Sequence, residues 1–544
     1  MNIRVNIAAI FLIFAQVLSI QLAQAEQPQP QTQTAVAVTQ ADAIQQFVQG
    51  DFASRRALLN QWPGSLEQLD QLAQYVEQQQ LYSGANGQTY ILESDERLLH
   101  YPALEPVSDW PSDLAQVTLV NTLQKALTFA LAHSKMQSED AAERLEAVDI
   151  YESNLSELQL AQINRLYLQE RNNKVKARLA QLKARLDYQQ PDVLVKIQAA
   201  QVLADSNRPD VLAMVEQELQ QPNLNPELKA VLLEAKSAIQ TRLQASEWAG
   251  HLFSGLSTAS ILLLAALGLA ITYGLLGVIN MAHGELIMIG AYTTYVVQSL
   301  FKSHFGSYLD WYLIVAIPAA FLVSALIGML IERTVIRPLY GRQLETLLAT
   351  FGVSLILMQL VRMIFGAQNV EVSNIAWLSG GISISPSLML PYNRIAIIVF
   401  TIAVLLLLVY LLNKTRFGLF VRAVTQNRQM ARAVGIRSSR IDMMAFGLGS
   451  GLAGLAGCAL AQVGNVGPDL GQNYIIDAFL VVVVGGVGQV WGAVLAALGL
   501  GISGTALEIG MGAVLAKIIL LVLVILFIQK RPQGLFAIKG RFVE

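Results

Sequence analysis

The residues best suited to chemistry in this sequence form a short polar interruption between two long apolar stretches. Positions 280–285 read Asn-Met-Ala-His-Gly-Glu, which places an amide, an imidazole and a carboxylate close together. Such a segment is either a solvated turn between two helices, with Glu285 in water, or a break in helices beside a polar pathway. In the second case, freed backbone groups and these side chains would hydrogen-bond a polar solute. The residues alone leave both interpretations open.

No catalytic or nucleotide-binding motif accompanies this segment. The sequence has no Gly-Lys dipeptide, which excludes a G-x-x-x-x-G-K-[ST] phosphate-binding loop. One cysteine, Cys458, excludes a multi-cysteine metal site, and five scattered histidines argue against a histidine-rich one. We therefore expect no enzyme activity, no cofactor and no metal.

The composition indicates a membrane protein with a soluble part. Of 544 residues, 54% are hydrophobic and 14% are charged, against roughly 25% charged in an average globular protein. The 37 Lys and Arg residues nearly balance the 39 Asp and Glu residues, so no basic field draws the chain to nucleic acid.

The first 40 residues predict export of the section that follows them. Residues 1–25 are typical of a secretory signal, with a basic Arg4, an apolar run over 7–20 and an Ala-Gln-Ala cleavage site at 23–25. An uncleaved anchor is the alternative. Residues 26–40 are too polar to fold alone and are predicted to be a linker.

Residues 41–250 are predicted to form an exported, mainly α-helical domain. The spacing of apolar residues predicts a helix over 57–79, and two apolar runs predict a short hairpin within 90–99. The stretches 175–183 and 195–203 each begin with a Val-Lys pair and carry an apolar stripe. This similarity favours a short HEAT-like array, in which helices pack on their neighbours. An ordinary helical bundle is the alternative.

Residues 251–544 are predicted to be a polytopic, all-α membrane domain. No Asp, Glu, Lys or Arg occurs between Glu247 and Glu285, a stretch longer than the roughly 20 residues that cross a bilayer as a helix. Further charge-poor blocks follow, and they must be helical because backbone polar groups in lipid need internal partners. The block 478–507 is long for one span and short for two. We favour two glycine-broken helices there and about nine spans, with seven as the alternative.

Glycines within the apolar blocks are predicted to let helix backbones approach closely. A G-x-G-x-x-G run, which could otherwise indicate a dinucleotide site, lies inside one of these blocks rather than between a strand and a helix. The predicted packing positions are Gly447, Gly451, Gly454, Gly485, Gly486, Gly488 and Gly492.

Positive charges predict which connections face the cytoplasm. Seven lysine and arginine residues and no acidic residue lie between Asn413 and Ile441. Basic residues also cluster at 333–342 and in the tail after residue 529, whereas the intervening connections are poor in positive charge. The basic connections and the C-terminus are therefore predicted to be cytoplasmic. That orientation agrees with an N-terminal domain outside the cytoplasm.

The long basic connection also has a helical pattern. Apolar residues recur at Val421, Val424, Ala431 and Val434, and Gly435 is a plausible helix end. A topological anchor would explain the charges alone. A partly apolar helix parallel to the membrane is instead expected of a docking surface that receives force from a cytoplasmic partner. The residues leave both open.

Six motifs of the membrane section follow one another in a specific order. They are GLLGVINMAHGE from residue 274, RPL from 337, TFGVSL from 350, AVGI from 433, GGVG from 485 and RPQGLF from 531. Together they resemble the Liv-type permeases of branched-chain amino acid ABC importers over about residues 255–540. The resemblance implies that 251–544 is a permease domain without its own ATPase site. It also implies that 418–435 couples the domain to separate ATPases.

The section before residue 251 departs from a plain branched-chain amino acid permease, which begins near its first span. A signal and a helical exported domain ahead of this core resemble the urea-type permease of the same family. The resemblance implies urea transport, and so nitrogen uptake, by alternating access across a bacterial inner membrane. The implied partners are a second homologous permease subunit, two cytoplasmic ATP-binding subunits, an exported solute-binding protein and membrane lipid.

Two groups of residues are candidates for these roles. A neutral, hydrogen-bonding solute calls for polar groups along its pathway, and the candidates are Asn280, His283, Glu285, Thr346, Thr350, Ser354 and Asn473. The coupling-loop candidates are Gly418, Arg422, Ala423, Arg432 and Gly435. Other functions stay open: a permease for branched-chain amino acids or short amides, a passive urea channel, and a membrane receptor.

Overall fold

The computed structural model describes residues 43–536, with gaps at 85–87, 93–96, 108–109, 112, 156–157, 223, 278 and 305. The predicted signal and linker, residues 1–25 and 26–40, lie outside the described residues. Contacts divide the chain into two compact units, Met1–Ser156 and Glu157–Glu544. The predicted boundary at residue 250 falls within the second unit.

The described part of the first unit combines helices with an antiparallel sheet. Its helices are α1 (Ala43–Gln49), α2 (Phe52–Asn60), α3 (Leu66–Glu77), α4 (Asn121–Lys135) and α5 (Ala141–Ser153). Its strands are β1 (Leu81–Ser83), β2 (Thr89–Leu92), β3 (Leu98–Tyr101), β4 (Glu105–Pro106) and β5 (Ala115–Gln116), in the order β4-β3-β2-β1-β5. Phe47, Leu72 and Ile91 lie in its hydrophobic core.

The predicted hairpin is confirmed, and the predicted single helix over 57–79 is wrong. Strands β2 and β3 pair with Tyr90 opposite His100. Helices α2 and α3 replace the single helix, because the chain turns between them at Pro63. Ser65 then begins α3 with a capping box: its hydroxyl accepts from the Gln68 N–H, and the Gln68 side chain accepts from the Ser65 N–H.

The second unit begins, in its described residues, with a run of short helices. They are α6 (Leu160–Gln169), α7 (Asn173–Asp187), α8 (Val193–Leu203) and α9 (Pro209–Leu219). Asp192 caps α8 by accepting a hydrogen bond from the Leu194 N–H at 2.9 Å. Tyr188, Leu203 and Val215 share one buried core. A core shared by successive helices is expected both of the HEAT-like array and of the alternative helical bundle. We call α6–α9 the helical array.

A single long helix joins this array to the membrane section. Helix α10 (Pro226–Leu276) has 51 residues, about 76 Å of helix at 1.5 Å per residue. Leu228 and Ile239 in its first half pack in the array core. Leu264 and Leu267 in its second half lie in the core of the membrane bundle. Helix α10 is therefore shared by the array core and the membrane bundle without a break.

The remaining described helices form the membrane bundle and its connections. They are α11 (His283–His304), α12 (Tyr312–Ile331), α13 (Gln343–Phe365), α14 (Tyr392–Lys414), α15 (Arg416–Gln426), α16 (Arg428–Ala433), α17 (Ser438–Ala461), α18 (Leu470–Gly485), α19 (Val490–Met511) and α20 (Ala513–Lys530). A hairpin of β6 (Gly381–Ser385) and β7 (Leu388–Pro391) lies between α13 and α14. Within the described residues, 7 helices are long and apolar enough to cross a membrane: α10, α12, α13, α14, α17, α19 and α20. The predicted polytopic, all-α membrane protein is confirmed.

The connections between these helices define two ends of the bundle. Residues 332–342 and 415–437 lie together at one end, which we call the basic end. Residues 366–391 and 462–469 lie together at the other, which we call the loop end. There the Val370–Val466 bridge pairs the two segments through backbone hydrogen bonds of 2.8 and 2.9 Å.

Helices α11 and α18 are not among the seven, yet both lie inside the bundle. Helix α11 packs against α12 and α17 and reaches the loop end, where Gln298 donates to the Ser373 carbonyl at 2.8 Å. Helix α18 starts beside the loop end, and the Val484 carbonyl near its other end accepts from the N–H of Leu535, which follows α20. The seven long apolar helices equal the alternative count of seven spans. Counting α11 and α18 as well gives nine, so nine spans remains a prediction for the described bundle.

Candidate functional site

The polar interruption at 280–285 lies in the interior of the bundle, halfway along its helices. Asn280, His283 and Glu285 each expose 1% or less of their surface. Ser354, near the midpoint of α13, donates a hydrogen bond to Oε1 of Glu285 at 2.9 Å. A solvated turn is therefore wrong for this segment. The connection between α10 and α11 is a polar break enclosed by other helices.

Neighbouring helices hold this polar break from two sides. The Thr350 hydroxyl of α13 accepts from the Met281 N–H at 3.2 Å. Nε2 of His283 lies 3.0 Å from the carbonyl oxygen of Ala265 on α10, and it must donate because a carbonyl can only accept. The His283 ring is thereby fixed in one orientation, with Nδ1 on its other side.

Several buried polar atoms of the break have no hydrogen-bond partner among the described residues. They are Nδ2 of Asn280, Nδ1 of His283, Oε2 of Glu285 and the nearby Tyr292 hydroxyl. Leaving such an atom unpaired costs about 1–3 kcal/mol, so buried groups of this kind normally bind something. A small solute with both donors and acceptors has the chemistry to pair with them.

Glycines bring the break against α17 and α18. A Cβ on Gly284 would lie 2.5 Å from the Gly471 carbonyl oxygen, and a Cβ on Gly290 would collide with the backbone of Gly454. Of the predicted packing positions, Gly447 faces Met329, Gly451 faces Phe321, Gly454 faces Ala320, and Gly485 and Gly492 face each other. Gly486 and Gly488 have φ values of 99° and 79° in the turn between α18 and α19. The block 478–507 accordingly contributes to two helices.

Five of the seven pathway candidates come together, and two lie elsewhere. The five are Asn280, His283, Glu285, Thr350 and Ser354. Thr346 is buried near the basic end, where its hydroxyl donates to the Arg342 carbonyl at 2.8 Å. Asn473 is exposed and lines a cavity at the loop end.

The basic connection forms two helices, α15 and α16, at the basic end. Val421, Val424 and Ala431 are buried against the protein. The outer face exposes the apolar side chains of Leu419, Met430 and Val434. An exposed apolar face among arginines is expected of a docking surface and is not needed by a topological anchor.

The coupling-loop candidates occupy different parts of these two helices. Gly418 is packed against the Leu412 backbone, so no side chain fits there. Arg422 is exposed and donates to Asn413 at 3.3 Å, and Ala423 beside it is half-buried. Arg432 donates to the Ser438 hydroxyl at 2.8 Å. Gly435 follows α16 with φ +88°, a conformation that favours glycine.

Sequence reasoning missed a network that joins α16 to the end of α12 and to α17. Buried Glu332 accepts from Nη2 of Arg337 at 2.8 Å and from the Tyr340 hydroxyl at 3.1 Å. Arg428 of α16 lies 4.7 Å from the Tyr340 ring centre and donates to Oδ1 of Asp442 at 2.9 Å. We call these five residues the basic-end network. Burial raises the pKa of Tyr340, so its hydroxyl remains a donor.

A signal for this network was present in the sequence. Glu332 comes directly after a long apolar run and is followed by Arg333 and Arg337. A carboxylate at the end of a membrane helix is costly unless it is paired. The partners on α16 and α17 lie about 100 positions further on, and sequence spacing alone does not connect them. Among the described residues, no group of three or more His, Cys, Asp and Glu side chains could hold a metal ion.

A helical membrane bundle with an enclosed polar break and an exposed apolar face among arginines defines a polytopic membrane protein. Comparison with known proteins then gives the family. Residues 251–528 match the family described as branched-chain amino acid transport system, permease component, and the chain belongs to this family.

Individual relatives each cover about half of the chain. The high-affinity branched-chain amino acid transport system permease protein BraD of Pseudomonas aeruginosa is 30% identical over 291 residues, 52% of this chain and 94% of the relative. The corresponding LivH protein of Escherichia coli K12 is 28% identical over 291 residues with the same coverage. The probable LivH permease of Methanocaldococcus jannaschii is 30% identical over 292 residues, 51% of this chain and 89% of the relative. No solved structure matches the chain.

Proposed function

We propose that this chain is the permease subunit of an ABC importer that moves a small polar solute by alternating access. The polar break is the observation that supports this most directly. It puts hydrogen-bonding groups halfway through a membrane bundle, where a solute can be held between two alternating openings. The exposed face of α15 and α16 suits a surface that separate ATPase subunits push.

The proposal includes the partners of such an importer. They are a second homologous permease subunit, two ATP-binding subunits at the basic end, and an exported solute-binding protein at the loop end. The basic end then lies in the cytoplasm, since positive charges are retained there. Residues 43–250 lie on the opposite side of a bacterial inner membrane.

A branched-chain amino acid is the first substrate class that we propose, because the matching relatives are named as permeases for it. Urea is the second. The section before residue 251 lies outside the family match, which distinguishes this chain from a plain permease core. In addition, Asn280, Thr350 and Ser354 supply uncharged hydrogen-bonding groups beside Glu285, and a neutral solute with donors and acceptors can use them.

Competition uptake tests both substrates. In vesicles containing the complete importer, ATP-dependent accumulation of labelled leucine supports the first substrate and accumulation of labelled urea supports the second. Urea flux without ATP or partners would indicate a passive channel. Ligand binding with no flux of either solute would favour a receptor.

A pair of serine variants tests the role of the polar break. Ser354→Ala removes the partner of Glu285 and is expected to lower uptake at least several-fold. Ser503→Ala is the matched control, because the Ser503 hydroxyl donates within its own helix to the Gly499 carbonyl. Equal uptake by the two variants would contradict a solute path through the break.

A further inference from the structure

A cavity of about 510 Å³ opens at the loop end of the bundle. This volume lies within the range of about 300–1,000 Å³ typical of small-molecule sites. Its polar lining includes Asn369, Arg394, Asn465, Asp469 and Asn473. The side chains of Ile261, Leu460 and Leu470 form an apolar part of the wall. None of these side chains belongs to the polar break.

The local structure holds both charges of the cavity in place. Arg394 lies in the first turn of α14, and its Nη1 donates to the Ser254 hydroxyl of α10 at 2.6 Å. Asp469 precedes α18, and its Oδ1 accepts from Nη2 of Arg362 at 2.6 Å. Arg394 therefore has a neutral hydroxyl as its partner and retains donors for an anionic or carbonyl oxygen.

The carboxamides add uncharged donors and acceptors between these charges. The side chains of Asn369, Asn465 and Asn473 are exposed to the cavity. Each carboxamide can accept through its oxygen and donate through its nitrogen. The lining is therefore matched to a compact head group that has both N–H donors and oxygen acceptors.

The cavity is next to the polar break but separated from it. Arg362, the partner of Asp469, lies two helical turns beyond Ser354 on α13, and Ser354 binds Glu285. The Val370–Val466 bridge pairs the two loops that carry Asn369 and Asn465 of the cavity lining. Arg362 occupies only Oδ1 of Asp469, so Oδ2 remains able to accept an N–H from a solute.

We propose that this cavity is a first binding site for the solute head group, which is occupied before the solute reaches the polar break. The inference rests on the proposed import function. The ligand class is a small molecule whose head group carries N–H donors and oxygen acceptors, as zwitterionic α-amino acids and urea both do. An amino acid would place its carboxylate at Arg394, its ammonium group at Asp469 and its side chain against Ile261 and Leu460.

Two cavity variants and one matched control test the site in the complete importer. Asn473→Leu removes a carboxamide that both solutes can use, and we expect it to raise KM about tenfold, the effect of losing one hydrogen bond. Arg394→Gln is expected to raise KM about tenfold for leucine and less than threefold for urea, because urea has no carboxylate. Gln368→Leu makes the same kind of change on the loop beside the cavity, outside its lining, and should leave KM unchanged.

Direct binding distinguishes failure of the site from failure of the import function. Equilibrium binding of labelled leucine and urea to the purified complex needs no ATP and no flux. Binding that is lost in Asn473→Leu and kept in Gln368→Leu supports the site. Binding and KM equal to those of the unmodified protein in both cavity variants would overturn the site even if import is active. Import itself fails if the unmodified complex shows no ATP-dependent uptake.

Discussion

The basic-end network predicts that Glu332 couples ATPase docking to movement of α12. In Glu332→Gln the side chain keeps its shape but loses its charge. The amide oxygen can still accept from the Tyr340 hydroxyl. The ion pair with Arg337, at 2.8 Å, is lost. Arg428 of α16 stacks on Tyr340, and Tyr340 donates to Glu332 at the end of α12. Loss of the ion pair therefore loosens the contact between α16 and α12.

The size of the effect follows from the burial of the two partners. Removing one partner of a fully buried ion pair costs about 3–5 kcal/mol. Glu332 is fully buried, but the Arg337 side chain is 36% exposed, so water replaces part of the lost interaction. We therefore expect Glu332→Gln to remove about 2 kcal/mol of interaction free energy from the basic-end network, which is roughly a thirtyfold change in an equilibrium constant.

Parallel assays of ATP hydrolysis and uptake in vesicles measure this coupling. For Glu332→Gln we expect uptake to fall by tenfold or more while ATP hydrolysis remains within about twofold. Glu345→Gln is the matched control, since Glu345 pairs with Arg342 on the surface and its side chain is 55% exposed. Unchanged uptake in Glu332→Gln, or equal losses in the two variants, would refute a coupling role for the network.

Three further predictions concern packing, helix termination and the helical array. Gly454→Ala should destabilise the protein by about 1–3 kcal/mol and so lower its midpoint of thermal unfolding, because the new Cβ would meet the Ala320 carbonyl oxygen at 2.5 Å. Gly499→Ala should leave the midpoint unchanged, because a Cβ at Gly499 meets only open space. Equal midpoints for the two variants would contradict close packing at Gly454. Gly435→Ala places alanine at φ +88° and should reduce uptake with normal membrane insertion, so full uptake would remove Gly435 from the coupling loop. Burial opposes ionisation of Asp210, but hydrogen bonding from Arg208 and the charges of Arg185 and Arg208 outweigh it and lower its pKa. The ionised Asp210 therefore stabilises the folded state at pH values above the pKa of Asp210 in the unfolded chain. This stabilisation is lost as the pH falls through the lower pKa of Asp210 in the folded chain. Asp210→Asn should therefore weaken hydrogen-exchange protection of α7 and α9 at pH 7 and have a smaller effect near pH 3; a constant difference would contradict the ion pair.

The membrane section was predictable because lipid imposes a simple rule on sequence. Charge-free blocks had to be helices, and the structure has a helix at each of them. The apolar spacing of Val421, Val424 and Ala431 also gave the buried face of the basic helices. These signals are local, since they depend on residues within one or two turns of each other.

Features that depend on distant contacts could not be predicted in the same way. The environment of Glu285 depends on α13, whose Ser354 donates to the carboxylate and lies 69 positions further along the chain. Asp442 receives Arg428 only when α16 folds back on α17. The break between α2 and α3 is a different case, because Pro63 and the Ser65 capping box were visible and apolar periodicity was given too much weight.

ATP-dependent accumulation in vesicles is the most direct test of the central claim that this chain conducts solute under the control of separate ATPases. Vesicles containing the chain, its sister permease, the ATPase subunits and the solute-binding protein should concentrate leucine or urea above the outside level when ATP is supplied. Vesicles containing an ATPase variant that binds but does not hydrolyse ATP should not accumulate the solute. Accumulation by this chain alone, or equal solute levels with and without hydrolysis, would contradict the account.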